Sequence, residues 1–201
     1  MSARCTLVIP DAGPLNSLWV ADALPLLLEL AMPIVVLDAI YDEVTSDPPR
    51  YAKDRDVKAF IDGHAGKEIA IAPTFVGAQA RQARAKGGFV PGRGIGDAAI
   101  VEFINGHVEQ YVTPDQAVLL LFEDSDFRTI HFFRQPENVH LLSTVGLLRG
   151  LEEAGVIASA DAVVDAMMRP PNPERLRYMR ALTDTPAGTD LPAPLGSTWT
   201  P

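Results

Sequence analysis

Four acidic residues of this 201-residue chain have the type and placement to act on one shared ligand: Asp11, Glu43, Asp97 and Asp124. Asp11 directly follows the apolar run 5–10, and Asp124 follows the apolar run 118–122 after one intervening residue, Glu123. In doubly wound parallel sheets, ligands bind just beyond the carboxyl ends of the strands. If these two runs form neighbouring strands, both carboxylates open into the same crevice.

Two of the four acids would reach that crevice from helices. Asp97 lies in the first turn of a predicted helix, on or beside its buried stripe. Glu43 lies in a helix after the second predicted strand, and the neighbouring Asp42 competes with it for the same role. Asp126 is likewise an alternate to Asp124.

Carboxylates gathered in one low-dielectric pocket repel one another unless a cation lies between them. Oxygen-only ligands favour Mg²⁺ or Mn²⁺ over zinc. One or two such ions activate water and stabilise an in-line displacement at phosphorus. The four histidines of the chain are scattered and none lies in a nucleophile motif, so this chemistry needs neither a histidine base nor a covalent nucleophile.

Each acid also has a structural explanation. Asp11 and Asp124 are placed to cap the helices that follow them. Asp97 near a helix N-terminus interacts favourably with the helix dipole, and Glu43 alone fits a solvated helix face. The joint placement of all four around one predicted crevice favours a functional site.

The elements that must position these acids alternate between apolar β-rich runs and helical patterns. This alternation predicts an α/β fold, a three-layer sandwich with a central parallel sheet of about four or five strands flanked by helices. Strands are predicted at 5–10, 34–37, 69–72, 118–122 and 139–142. Helices are predicted at 14–31 with a break near Pro25, and at 39–44, 51–62, 74–86, 95–105, 125–134, 144–154, 160–168 and 173–182. We predict a domain over 1–158, a helical extension over 159–183 and a proline-rich tail over 184–201.

The composition is that of a globular protein, with 47% hydrophobic and 21% charged residues. A single cysteine excludes an internal disulfide framework and fits a reducing compartment. No signal-peptide pattern or membrane-spanning run is visible, so we expect a cytoplasmic protein with no membrane partner. The net charge of −9 argues against a basic nucleic-acid coat protein. It leaves a nuclease open, since metal-binding acids count as negative charge until metal binds.

The segments around these acids resemble the motifs of the PIN-domain family, especially VapC-like toxins. The run LVIPDAGPL (7–15) is similar to the first motif, a hydrophobic strand ending in the metal-binding Asp11. The run IVVL (34–37) followed by YDEV (41–44) resembles the second motif, in which the glutamate is Glu43. The run GIGDAAI (94–100) resembles the third motif around Asp97, and LLLF (119–122) with DSDFR (124–128) resembles the fourth around Asp124.

This resemblance covers about residues 5 to 158 and implies a Mg²⁺- or Mn²⁺-dependent endoribonuclease that cleaves RNA phosphodiesters. It assigns catalysis and metal binding to Asp11, Glu43, Asp97 and Asp124. Toxins of this family are held inactive by a cognate antitoxin and are often dimers. The resemblance therefore implies an antitoxin protein and a second copy of the chain as partners.

The most basic stretch lies next to the third motif and comprises Arg81, Arg84, Lys86 and Arg93. We predict that these residues bind the RNA phosphate backbone beside the acidic pocket. The alternative is that they only solvate a helix and a loop.

Three rival functions can be weighed on the sequence. A metal-dependent phosphatase usually carries two acids one residue apart after the first strand, whereas Asp11-Ala12-Gly13 has one. A catalytically inactive PIN-like interaction or regulatory module could bind a basic partner through its acidic surface, but the four intact acids argue against it. A dinucleotide-binding domain is set aside, because residues 92–96 lack the G-x-G-x-x-G spacing.

Overall fold

The computed structural model describes residues 5–91, 94–123 and 136–179. Within them a five-stranded parallel sheet is flanked by helices, which confirms the predicted α/β architecture. The strands are β1 (Cys5–Pro10), β2 (Ile34–Leu37), β3 (Ile69–Ala72), β4 (Ala117–Phe122) and β5 (Val139–Ser143). Their order across the sheet is β3-β2-β1-β4-β5.

β1 is the central strand and lies between β2 and β4. It pairs with β4 in the register Ile9 to Leu120 and Pro10 to Leu121. The backbone N–H of Asp11 continues this ladder by donating to the carbonyl of Leu121 at 2.9 Å. Every residue of β2 and β4 is buried, as expected for continuous apolar strands covered on both faces. The two strands β1 and β4 therefore deliver the residues that follow them to the same edge of the sheet.

Seven α-helices lie in the described part of the chain. They are α1 (Ala12–Val20), α2 (Asp38–Val44), α3 (Ala52–His64), α4 (Phe75–Ala85), α5 (Ile95–Gly106), α6 (Thr144–Glu153) and α7 (Ala160–Met168). Short 3₁₀ helices run over Leu24–Leu30, Val108–Gln110 and Pro173–Tyr178.

The first predicted helix is the main departure from the sequence-based expectation. A helix over 14–31 was expected to break near Pro25, but α1 ends at Val20. Asp22 then adopts a left-handed backbone with φ of 61°, and the chain continues as the 3₁₀ helix Leu24–Leu30. The predicted helix over 125–134 lies outside the described residues. Of the predicted helix over 173–182, the described part is the 3₁₀ helix Pro173–Tyr178.

The segment after α6 packs on the helix that follows the central strand. The guanidinium of Arg175 lies 4.4 Å from the ring centroid of Trp19 on α1 and donates to the Trp19 carbonyl. The ring of Tyr178 meets Trp19 edge-on, with the centroids 5.2 Å apart. Ala160 and Met167 of α7 belong to the same hydrophobic core as the sheet. The segment 160–179 thus covers one side of α1.

No helix in the described ranges combines the length and the apolar character needed to cross a membrane.

Candidate functional site

Three acids stand at the carboxyl edge of the sheet, each following a different strand. Asp38 is the first residue after β2, Asp11 the first after β1 and Glu123 the first after β4. The strand order places Asp11 in the middle position of the three. Their surroundings differ, and the difference separates two structural carboxylates from one that is in an unfavourable electrostatic environment.

Asp38 is a structural carboxylate that fastens α4 to α2. It is buried and accepts from the backbone N–H of Thr74 at 3.0 Å and from the Thr74 hydroxyl at 2.7 Å. Arg81 of α4 donates to its second oxygen at 2.5 Å. Gly77 leaves the space for this contact, because a Cβ there would stand 2.4 Å from Oδ1 of Asp38. Its hydrogen bonds therefore go to the N-cap and the body of α4 rather than to the N-terminus of its own helix.

Glu123 is a second structural carboxylate. The sequence pattern gave it no role beyond separating a predicted strand from Asp124. It is buried and accepts from the hydroxyl of Ser17 on α1 at 2.8 Å and from that of Thr144 on α6 at 2.6 Å. A Cβ on Gly13 would lie 3.1 Å from the Cβ of Glu123. The glutamate thus joins two helices over the end of β4. Its position directly after a buried strand, like that of Asp11, is the sequence signal that marks it.

Asp11 differs from both neighbours because its carboxylate is held in an unfavourable environment. It occupies the N-cap position of α1 but makes no capping hydrogen bond with its side chain. Burial raises the pKa of the Asp11 carboxyl to about 7, the amides of Ala12 and Gly13 partly lower it, and the charges of Asp97 and Glu43 raise it further. The residue as a whole is half-buried. A carboxyl that titrates near neutral pH at the edge of a sheet is a candidate for function.

Asp97 and Glu43 are brought to Asp11 by α5 and α2. Asp97 lies in the first turn of α5, and Glu43 lies near the end of α2. Gly96 is buried at the point where these elements meet. A Cβ on Gly96 would stand 3.3 Å from Oε2 of Glu43 and 3.7 Å from Oδ1 of Asp11. The structure therefore gathers three of the four sequence-predicted acids around one glycine.

Asp42, the competitor of Glu43, is paired with the arginines of α4. Its Oδ2 accepts from Arg81 at 3.1 Å and lies 3.9 Å from Arg84. A surface pocket of about 470 Å³ adjoins these residues and is bounded by Glu43 on one side and by Arg81 and Arg84 on another. The acid that faces Asp11 and the basic residues of α4 thus share one concave surface, which we call the Glu43 pocket.

The predicted RNA-binding residues differ in how firmly they are already paired. Arg81 is held by both Asp38 and Asp42. Arg84 makes only the longer contact to Asp42 and is half exposed. Lys86 is an exposed residue at the C-cap of α4. Arg93 lies outside the described residues. Arg84 and Lys86 are therefore freer than Arg81 to meet a ligand.

The two remaining predicted acids, Asp124 and Asp126, lie outside the described residues, although Glu123, which precedes them, is described. Over 5–91, 94–123 and 136–179, no group of three or more His, Cys, Asp or Glu side chains is close enough together to hold a metal ion. Asp11, Glu43 and Asp97 are near enough to repel one another, and binding an ion at this place requires them to converge further.

The chemistry of these residues fits a hard divalent cation. The donors are carboxylate oxygens, which Mg²⁺ and Mn²⁺ prefer. A cation at this place would relieve the repulsion that the charges of Asp97 and Glu43 exert on Asp11. Gly96 has no side chain, and carboxylate oxygens of Glu43 and Asp11 both lie within 4 Å of where its Cβ would be.

The chain was compared with protein-family models, with curated proteins and with solved structures. No protein-family model, no curated protein and no solved structure matches the chain.

Proposed function

We propose that the protein is a divalent-metal-dependent endoribonuclease of the PIN-like type, with Asp11, Glu43 and Asp97 as metal ligands. The observation that carries the proposal is the carboxylate of Asp11, which is buried beside two further acids and has a pKa of about 7. Asp38 and Glu123, at the same edge of the sheet, have hydroxyl, amide or guanidinium partners. At Asp11 the amides of Ala12 and Gly13 only partly offset burial and the charges of Asp97 and Glu43, and an unfavourable environment of this kind is typical of a functional site.

The roles of the residues follow from their placement. A bound Mg²⁺ or Mn²⁺ would supply Lewis acidity and an activated water. Asp11, centrally placed after β1, holds its proton below about pH 7 and releases it above, so it is a competent ligand at neutral pH. Asp97 and Glu43 approach it from two helices that Gly96 keeps in contact. Asp124 remains a fourth ligand predicted from the sequence.

RNA as the substrate is supported by the surface next to these acids. Asp42 and Glu43 line the Glu43 pocket together with Arg84. The contact of Arg84 to Asp42 is long, and the side chain of Arg84 is half exposed. Exposed ion pairs of this kind contribute little to stability, so Arg84 can turn to a phosphate without much loss. Lys86, an exposed residue at the C-cap of α4, lies two residues further along the chain. The acidic centre and these cations together fit a phosphodiester backbone.

The test is Mn²⁺ binding by calorimetry, followed by cleavage of labelled RNA in the same buffers. We expect Asp11→Asn and Asp97→Asn each to lose binding and cleavage. Asp161→Asn is the matched control, because Asp161 lies in the first turn of α7 as Asp97 lies in the first turn of α5. It should cost the same helix-dipole interaction and leave both activities intact.

Two results would replace the proposal. A folded wild type that neither binds Mn²⁺ nor cleaves RNA leaves the inactive interaction module as the better explanation. A protein that binds Mn²⁺ and hydrolyses p-nitrophenyl phosphate, but no RNA, is a phosphatase.

A further inference from the structure

A second surface pocket lies beside the Glu43 pocket and has no role in the site described above. Its volume is about 380 Å³, and its walls come from α1, from the start of α3 and from the segment after α7. The residues that matter for what it binds are Asn16, Tyr51, Lys53 and Tyr178, and we call it the Asn16 pocket. A volume of this order suits a small ligand or one unit of a polymer.

Two polar atoms of this pocket's walls lack partners. Asn16 on α1 is 6% exposed, and its Oδ1 has no hydrogen-bond partner among the described residues. The hydroxyl of Tyr178 is also buried and equally unpartnered within the same ranges. Buried polar groups are nearly always paired, so each exception requires an explanation. A polar ligand in the pocket would pair both.

The pocket also offers aromatic rings and positive charge. Tyr51 and Tyr178 both line it, and each ring carries an arginine guanidinium nearby, Arg50 at 5.2 Å and Arg177 at 4.9 Å from the ring centroids. Lys53 lines it as well. Aromatic rings combined with cations are the features by which proteins hold unpaired nucleotides.

Asp54, the acid in the pocket's wall, is already paired with its neighbours. Asp54 accepts from the Ser46 hydroxyl at 2.9 Å and from the backbone N–H of Asp47 at 2.8 Å, and it pairs with Lys53 at 2.9 Å. These contacts lower the pKa of Asp54 despite its burial, so its carboxylate stays charged. It is already hydrogen-bonded to the loop residues Ser46 and Asp47. Repulsion of an anionic ligand is correspondingly reduced.

The Asn16 pocket is a neighbour of the Glu43 pocket, because Ser46 lines both of them. Asn16 on α1 also lies five residues after Asp11, the N-cap of that helix, which is about 7.5 Å along the helix axis. The Asn16 pocket is therefore close to the acids around Asp11.

We propose that the Asn16 pocket is a subsite for one unpaired nucleotide of the RNA, next to the bond that is cleaved. The base stacks against the tyrosine side of the pocket and hydrogen-bonds Oδ1 of Asn16 and the hydroxyl of Tyr178, while Arg177 meets its phosphate. The substrate is accordingly single-stranded at this position, since a paired base cannot present its hydrogen-bonding edge. This subsite rests on the proposed nuclease function for its biological context, but nucleotide binding can be measured without it.

The experiment titrates the four nucleoside 5′-monophosphates in EDTA and follows tryptophan fluorescence. Trp199→Phe serves as the background, because it leaves Trp19, which touches Tyr178, as the only tryptophan of the chain. We expect saturable binding at millimolar concentration. Tyr178→Phe removes only the hydroxyl and should weaken binding about threefold to tenfold, the range of one hydrogen bond.

Asn16→Leu gives a second variant, and the fold does not depend on the atom it removes. Because Oδ1 of Asn16 has no partner within the described ranges, the substitution should keep or raise the melting temperature while it abolishes nucleotide binding. Tyr111→Phe, at an exposed tyrosine outside the pocket, is the control and should bind as the parent does.

The outcomes separate the subsite from the nuclease. Nucleotide binding that Tyr178→Phe and Asn16→Leu weaken supports the subsite, even if no RNA is cleaved with Mn²⁺. RNA cleavage by a protein that binds no mononucleotide at millimolar concentration overturns the subsite and leaves the nuclease in place. Binding that neither variant weakens also overturns it.

Discussion

Gly96 faces the carboxylate of Glu43 so closely that a Cβ on Gly96 would stand 3.3 Å from Oε2 of Glu43. The same Cβ would lie 3.7 Å from Oδ1 of Asp11. The absence of a side chain at Gly96 therefore leaves room for Glu43 of α2 and for Asp11, which follows the central strand.

Replacing Gly96 with alanine should separate stability from metal affinity. Alanine in a helix is favoured over glycine by about 0.5–1 kcal/mol, so the variant should unfold at higher urea concentration. The new methyl group displaces Glu43, and Mn²⁺ affinity should fall several-fold by calorimetry. Gly106→Ala is the control, because a Cβ at Gly106 meets nothing within 4 Å. Equal Mn²⁺ affinities for both variants would show that Glu43 is not a ligand.

Metal affinity should depend on pH through Asp11. Its pKa of about 7 means that a proton competes with the cation below that pH. Apparent Mn²⁺ affinity should therefore rise about tenfold per pH unit up to neutrality for one displaced proton, and then level off. Calorimetry in buffers of different ionisation enthalpy measures the proton released. A flat profile between mildly acidic and neutral pH would exclude Asp11 as the titrating ligand.

Asp11→Asn should stabilise the metal-free protein at high pH. The folded carboxyl titrates at about 7 and the unfolded one at 3.8, so the folded state retains a proton that the unfolded state has lost. Wild-type stability consequently falls as the pH rises between these values and stays lowered above them. A shift of this size corresponds to a stability effect of at most about 4 kcal/mol.

The measurement is urea unfolding of both proteins in EDTA at about pH 4 and about pH 8. The variant should be the more stable one at the higher pH, and the difference should vanish at the lower pH. Added Mn²⁺ should stabilise the wild type alone. A stability difference that is the same at both pH values would contradict the assignment.

Glu123 should prove a structural residue whose two hydroxyl partners act together. Thr144→Val and Ser17→Ala each leave its buried carboxylate one donor short, which costs about 1–3 kcal/mol in the free energy of unfolding. A double-mutant cycle between Thr144→Val and Glu123→Gln should show coupling above about 0.5 kcal/mol. Additive effects would mean that the hydrogen bond across β4 and α6 contributes nothing to stability.

Arg81 and Arg84 should have opposite roles despite lying one turn apart on α4. Arg81→Gln leaves the buried Asp38 without its cation, so the protein should lose about 1–2 kcal/mol of stability. Arg84→Gln should change stability by less than about 0.5 kcal/mol. It should weaken RNA binding in an Asp11→Asn background and reduce the slope of log affinity against log salt by about one. If Arg81→Gln lowers RNA affinity without loss of stability, the roles are reversed.

Much of the scaffold follows from local sequence. The apolar runs predicted all five strands to within one residue at each end. For β2 and β4 the reason is that strands covered on both faces are continuously apolar. The position of Asp97 in the first turn of its helix followed from the glycines before it. The end of α1 before Asp22 could not be predicted in this way, because a left-handed backbone at an aspartate does not change the hydrophobic pattern.

What escaped prediction depends on contacts between distant segments. Asp38 stands directly before the predicted helix 39–44, yet its oxygens accept hydrogen bonds from Arg81 and Thr74, 43 and 36 positions away. Glu123 was not expected to matter, because its partners Ser17 and Thr144 are 106 and 21 positions away.

The contact between Arg175 and Trp19 spans 156 positions of the chain. During synthesis Trp19 leaves the ribosome long before Arg175 exists, and domains form as their segments emerge. The acids Asp11, Glu43 and Asp97 are all made before the wall of the Asn16 pocket that Tyr178 supplies. The last part of the site to be completed is therefore the part that would grip a nucleotide, and a chain interrupted before that segment carries its acids without their neighbouring subsite.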